Sequence, residues 1–308
     1  MKTSNTDNYI SQAEAAGEIG RTKETARVKA RRAGKLRRLA LMAVLVMVMP
    51  VMSACGKRSR QERELREFAI ELMNEGAYGA AIAKFDEALS MNDGRVGEVE
   101  IDILKYRAQA EMLMGDYAAA EYTYTLLERE DGKSDEYTNL RIVCMARSGS
   151  DLDRAIELYE KAESENPYAA GHTQALYVLG EVLSSSELTS RRESAKSFYE
   201  AALADDKRRS AQLYDRLGMM LFSEGDIEGA LEQFENGKEL IESGESYADE
   251  DAQQSIMFNI AVCMEHQAKW EQALEMFKAY EEAYGTTEQS SHEIAFIEGI
   301  LSEKANAQ

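Results

Sequence analysis

Proline is almost missing. The 308 residues hold two, where an average composition predicts about fifteen. Sandwiches and barrels mark their many turns with Pro and Gly, so this shortage excludes most sheet architectures and points to long helices. Cysteine is as scarce: three residues, Cys55, Cys144 and Cys263, cannot make a disulfide framework or a four-thiolate zinc site. The three histidines, His172, His266 and His292, are far apart and share no Cys or carboxylate at ligand spacing, so no metal is expected. No phosphate-cradling glycine loop, nucleophile elbow or HExxH helix is present, and no cofactor is expected. Acidic side chains are too common for any carboxylate pair to signal a hydrolase. The chain reads as a non-enzyme.

Charge is divided along the sequence. Residues 1–60 carry thirteen Lys/Arg and four Asp/Glu, whereas 61–308 carry 23 basic and 52 acidic residues. A body that acidic repels phosphate backbones, so nucleic acid is not an expected partner.

The basic start has its own logic. Arg21, Lys23, Arg27, Lys29, Arg31, Arg32, Lys35, Arg37 and Arg38 precede an uncharged stretch of sixteen residues, Leu39 to Ala54. As a helix it would reach about 24 Å, short of the ~30 Å hydrocarbon core. A basic segment, a short apolar segment and small residues at its end describe a secretory signal peptide. Met52-Ser53-Ala54-Cys55-Gly56 resembles the lipobox of bacterial lipoproteins, with Met52 where Leu is commonest. The resemblance implies cleavage before Cys55, a diacylglyceryl group on its thiol, and an extracytoplasmic chain tethered to the cell membrane. Each buried methylene adds about 0.8 kcal/mol, so two acyl chains anchor firmly where one holds marginally.

Beyond Cys55 the chain repeats itself. Six windows place a small residue four positions before an aromatic one: Ala81/Phe85, Ala120/Tyr124, Ala155/Tyr159, Ala195/Tyr199, Ala230/Phe234 and Ala273/Phe277. Tyr214-x₂-Leu217-Gly218-x₂-Leu221 precedes Gly225-Asp226, Ala230 and Phe234, and Leu179-Gly180 and Ile260-Ala261 hold equivalent places in other copies. On these residues the chain, from about 62 to 285, resembles the tetratricopeptide repeat family. The resemblance implies an all-α, right-handed α-solenoid of about six helical hairpins. Gly180, Gly218, Ala69, Ala108 and Ala261 would lie where paired helices pass closest, and the aromatics would fill the wedge between successive pairs. Gly76, Gly115, Gly149 and Gly225 would take the positive φ of tight interhelical turns.

The anchors are 39, 35, 40, 35 and 43 residues apart, against a family length of about 34, so the surplus belongs in loops at Asn92–Val99, Ser184–Arg192 and Ser243–Glu250. Ile294-x₂-Ile297-x₂-Ile300-Leu301 predicts an amphipathic helix capping the last pair. The expected organisation is a signal peptide at 1–54, a lipidated Cys and linker at 55–61, a solenoid at 62–285 and a cap and tail at 286–308. The repeats fall at about 62–95, 101–131, 136–168, 173–208, 211–243 and 254–285.

In the family, first helices line a concave groove that takes extended peptides. Helical spacing from each anchor places Arg66, Lys105, Tyr106, Tyr137, Arg141, Arg147 and Tyr177 there. Basic heads and phenols suit a peptide bearing carboxylates. Chaperone-tail binders use a Lys/Asn/Lys/Arg clamp; Arg66, Lys105 and Arg141 would supply cations, with Ile70 and Tyr106 in place of its asparagines. Two functions are expected from this reading: a membrane-anchored adaptor for proteins, or an accessory subunit of an envelope assembly machine similar to the tetratricopeptide lipoproteins of outer-membrane barrel assembly. Cys144 and Cys263 read as buried thiols acting as small hydrophobes.

Overall fold

The computed structural model describes residues 54–91, 96–244 and 250–306, which form thirteen α-helices and, among the described residues, no strand. The chain divides into two compact units, residues 1–60 and 61–308. Of the first unit only the opening of α1 (Ala54–Asn74) is described, so the expected signal peptide and the Cys55 side chain lie outside the described residues. Residues 55–61, expected as a linker, are helical backbone within α1. Nothing in Lys57–Gln61 breaks a helix, which explains the difference.

In the second unit, α1 is followed by α2 (Tyr78–Ser90), α3 (Glu98–Met114), α4 (Tyr117–Glu130), α5 (Asp135–Ser148), α6 (Leu152–Glu165) and α7 (His172–Ser184). Then come α8 (Thr189–Leu203), α9 (Ala211–Glu224), α10 (Ile227–Glu242), α11 (Glu250–His266), α12 (Trp270–Tyr284) and α13 (Glu288–Asn306). They form six hairpins, α1/α2 through α11/α12. Each second helix also packs on the next first helix, α2 on α3 and so on to α12 on α13. Contacts run between neighbours along the array, the defining organisation of a helical-hairpin solenoid.

The repeated residues explain the hairpins. All six alanine anchors are fully buried, and Phe85, Tyr124, Tyr159, Tyr199, Phe234 and Phe277 are buried one turn later. The rings do more than fill the wedge between hairpins. An added Cβ on Gly218 would lie 2.6 Å from the Phe234 ring, and one on Gly180 would lie 2.5 Å from Cζ of Tyr199. The aromatic of the second helix therefore lies over the small residue of its own first helix. Outward it meets the next hairpin, as in Phe85 on Tyr106 (6.3 Å between centroids), Tyr124 on Tyr137 (6.3 Å) and Tyr159 on His172 (4.9 Å). Burial of one such ring contributes about 2–3 kcal/mol.

Two of the turns within the hairpins share one recipe. Gly115 and Gly225 take φ of 87° and 88°, and the following Asp116 and Asp226 cap the second helices by accepting from the N–H of Ala119 and Gly229. Between α11 and α12 the left-handed position is held by Ala268, at φ 57°, and Lys269 makes no side-chain cap. The loop expected at Ser184–Arg192 is shorter than its sequence suggested. It spans Ser185–Leu188, because α8 already begins at Thr189. α13 covers the last hairpin as expected, burying Ile297 fully and laying Ile294 and Leu301 against Phe258 and Phe277.

Candidate functional site

The predicted groove residues lie mainly where one first helix meets the next, and most are engaged there. Arg66 of α1 pairs with Asp102 of α3, and its guanidinium lies 5.2 Å from the Tyr106 ring centroid. Lys105 of α3 lies 5.7 Å from the Tyr137 centroid on α5 and 3.3 Å from Asp131, to which the Tyr137 hydroxyl donates at 2.5 Å. Hydrogen bonding with Tyr137, together with Asp131, holds the Lys105 ammonium above its ordinary pKa. Arg147 of α5 reaches Glu181 of α7 at 3.7 Å. Tyr177 of α7 shares a 2.9 Å hydrogen bond with Ser210 and stands under the Arg216 guanidinium of α9 at 5.1 Å. Ser255 of α11 donates to Asp215 of α9 at 2.8 Å. The result is a polar spine that couples hairpin to hairpin through side chains.

This arrangement changes what the seven residues can offer a ligand. Tyr137 is buried, and the heads of Arg66 and Lys105 already face carboxylates. Lys105 and Arg147 remain exposed, so the first-helix face still presents cations, but paired ones. Asp102, Glu181, Ser210 and Asp215 were missed from the sequence. Each lies over thirty residues from its partner, and only the fold's roughly 34-residue repeat brings them together.

Arg141 departs from the group. Its Nε and Nη2 donate to Glu121 at 2.9 and 2.8 Å, and its Nη1 donates to Glu128 at 2.7 Å. Both carboxylates belong to α4, the second helix of the preceding hairpin. Arg141 therefore points along the second helices, and a clamp built from Arg66, Lys105 and Arg141 is not assembled. Spacing alone did not show this, since Tyr106 holds the same register before its own anchor and meets Arg66 of the neighbouring first helix.

A second polar centre was not read from the sequence at all. His172 is 1% exposed, and its Nε2 lies 2.7 Å from Glu163, nine residues back across the α6–α7 connection. Arg208 closes on the same carboxylate with both terminal nitrogens, and the Tyr159 hydroxyl donates to it at 3.2 Å. Burial pushes Glu163 up, but hydrogen bonds from Arg208 and His172 outweigh it and hold the carboxyl below its usual range. Burial pushes His172 down, so its imidazole is neutral at pH 7. The cluster joins α6, α7 and the α8–α9 connection. Burial also pushes the Cys144 and Cys263 thiols up to about 12, which makes both unreactive.

Among the described residues no cluster of three or more His, Cys, Asp or Glu could hold a metal ion, and no helix is long and apolar enough to cross a membrane.

No family model matches the chain, and no curated protein matches it. Solved structures do. PilW, described as a widely conserved type IV pilus biogenesis factor, aligns over 77% of this chain and 97% of its own with 13% identity and a TM-score of 0.51. MamA (residues 41 to the end) from Desulfovibrio magneticus RS-1 aligns over 60% and 95% with 18% identity and a TM-score of 0.46. A tetratricopeptide repeat protein from Parabacteroides merdae aligns over 77% and 99% with 15% identity and a TM-score of 0.40. At these identities the likeness is one of fold.

Proposed function

We propose that this chain is a non-enzymatic scaffold for protein partners, tethered to the extracytoplasmic face of the cell membrane through lipid on Cys55. One observation carries the scaffold: the described residues between Ala54 and Asn306 are organised as successive helical hairpins and a capping helix. Arrays of this kind offer extended surfaces for other proteins, and their ridges repeat at the interval of the hairpin. The tether rests on the lipobox Met52-Ser53-Ala54-Cys55 and the basic and apolar segments before it.

The two halves of the proposal have separate tests. Radiolabelled palmitate should enter the wild-type chain in a bacterial host and be lost in Cys55→Ala, with the protein moving out of the membrane fraction. Equal labelling of both would remove the tether and leave the scaffold. Crosslinking in intact cells followed by mass spectrometry should recover a recurrent protein partner. Recovery of none across crosslinkers would end the scaffold reading. The partner's identity decides whether the narrower role, accessory subunit of an envelope assembly machine, applies.

A further inference from the structure

Residues 61–308 carry more than twice as many acidic as basic side chains, yet one groove is lined by more cations than carboxylates. It has a volume of about 420 Å³ and is built by α4, α5 and α6. Arg129, Lys133, Arg141, Arg154 and Lys161 line it against three carboxylates, and none of its residues belongs to the first-helix spine. We propose that this groove docks an acidic, extended segment of a protein partner. The inference rests on the scaffold reading and names its surface.

Three features support that occupant. First, the cation heads are accessible: the side chains of Arg129, Lys133, Arg154 and Lys161 are 69%, 62%, 51% and 58% exposed. Arg154 pairs with Glu157 and Lys161 with Glu165 along one helix, Lys133 reaches the same Glu165 at 3.6 Å, and both carboxylates are at least half exposed. Water screens such pairs, so an incoming carboxylate exchanges for them at little cost. Second, the floor is apolar and fixed. Leu158 and Ala162 lie between the charged rims, and Arg141, spent on Glu121 and Glu128, ties α5 to α4. A peptide alternating carboxylates with aliphatic side chains would meet both rim and floor. Third, a larger groove elsewhere on the array opposes such a ligand. Beside α10, Glu228, Glu232 and Glu235 face a single Lys269 over Ile227 and Leu231, which repels an acidic segment. Between these two grooves, charge selects the one formed by α4, α5 and α6.

Fluorescence polarisation tests this on the detergent-solubilised full chain with a labelled decapeptide alternating Glu and Leu, and its Gln/Leu counterpart as control. The Glu peptide should bind about tenfold or more tightly than the Gln peptide and weaken as salt rises. Arg154→Glu with Lys161→Glu should reduce its affinity at least about tenfold at unchanged helical circular dichroism. Glu232→Gln with Glu235→Gln, in the other groove, should leave it unaltered. Equal binding of the two peptides, or affinity indifferent to the Arg154/Lys161 reversal, would overturn the proposal. So would co-sedimentation of Cys55→Ala with phosphatidylglycerol vesicles that depends on Arg154 and Lys161 while the Glu peptide fails to bind, which would assign the groove to a lipid surface. A crosslinked cellular partner that survives these reversals would keep the scaffold reading and remove only this groove.

Discussion

Replacing Gly218 with alanine asks whether the ring of each second helix truly lies over the small residue of its first. The added Cβ would stand 2.6, 2.8 and 2.9 Å from three carbons of Phe234, where real contacts begin near 3.4 Å. Phe234 is fully buried, so its ring cannot swing into solvent to make room. The hairpin α9/α10 must open instead, and overpacking of that kind costs about 1–3 kcal/mol. Alanine returns about 1 kcal/mol of helix propensity, leaving a net loss of up to about 2 kcal/mol. Gly299 is the control. It lies inside α13 with nothing within 4 Å of an added Cβ, so Gly299→Ala should gain about 0.5–1 kcal/mol by the same propensity. Urea unfolding followed by circular dichroism at 222 nm reads both midpoints. Phe234→Leu in the Gly218→Ala background should recover part of the loss, since it removes the clashing ring edge. A Gly218→Ala stabilised as much as Gly299→Ala would refute the packing argument, because it would show that the two helices already have room.

Other consequences follow from particular residues. Ala268→Gly should stabilise the α11–α12 turn by about 1 kcal/mol, since φ of 57° strains an L-residue, and its urea midpoint should rise. Glu265 is pushed up to about 7 by burial and by the neighbouring Glu293 carboxyl. Because its folded pKa lies above the ordinary 4.5, its contribution is fully present below that value and is lost as pH rises through about 7. Melting temperatures should therefore fall between about pH 4.5 and 7 in the wild type and fall less in Glu265→Gln. His172 has the opposite sign: its folded pKa lies below 6.5, so its contribution is present above 6.5 and is lost as pH falls. His172→Gln should flatten the acid limb of the same curve. Cys144 and Cys263 should resist a thiol reagent at pH 8 until denaturant is added, whereas reaction in the native chain would show that one of them is exposed.

What the sequence disclosed depends on whether a feature repeats. The alanine anchors and their rings recur six times, and that recurrence located six hairpins and the face each helix buries. Gly115-Asp116 and Gly225-Asp226 likewise announced their turns, because a left-handed position and an N-cap demand particular residue types. Ala268 gave no signal, since alanine is the ordinary choice everywhere else in a helical chain. The charged residues were legible as types but not as partners. Arg66 with Asp102 and Glu163 with Arg208 meet only after the hairpins stack, and a single chain carries no record of such pairing. Arg141 shows the same limit, for its partners Glu121 and Glu128 lie on the preceding second helix, a pairing that no spacing rule announced.

The pairings have a direction along the array that bears on how it holds together. Arginines tie the early hairpins: Arg66 to Asp102, Arg107 to Asp86, Arg141 to Glu121 and Glu128, Arg147 to Glu181, Arg191 to Asp153 and Arg208 to Glu163. After Arg216 there is no arginine; residues 217–308 contain four lysines against twenty Asp and Glu. Among the described residues there, the ion pair joining two helices through a lysine is Lys278 with Glu298, at 2.7 Å between α12 and α13. Apolar burial must carry that end, and it does so through Phe258, Phe277, Tyr280 and Ile297 beneath α13. Like charges on this end repel at low ionic strength and are screened over about 10 Å at 0.1 M salt, while the arginine pairs of the other end weaken under the same change. Salt thus acts in opposite senses on the two ends of one array. Because a solenoid's stability is close to a sum over neighbouring interfaces, the ends respond separately instead of averaging into one cooperative shift.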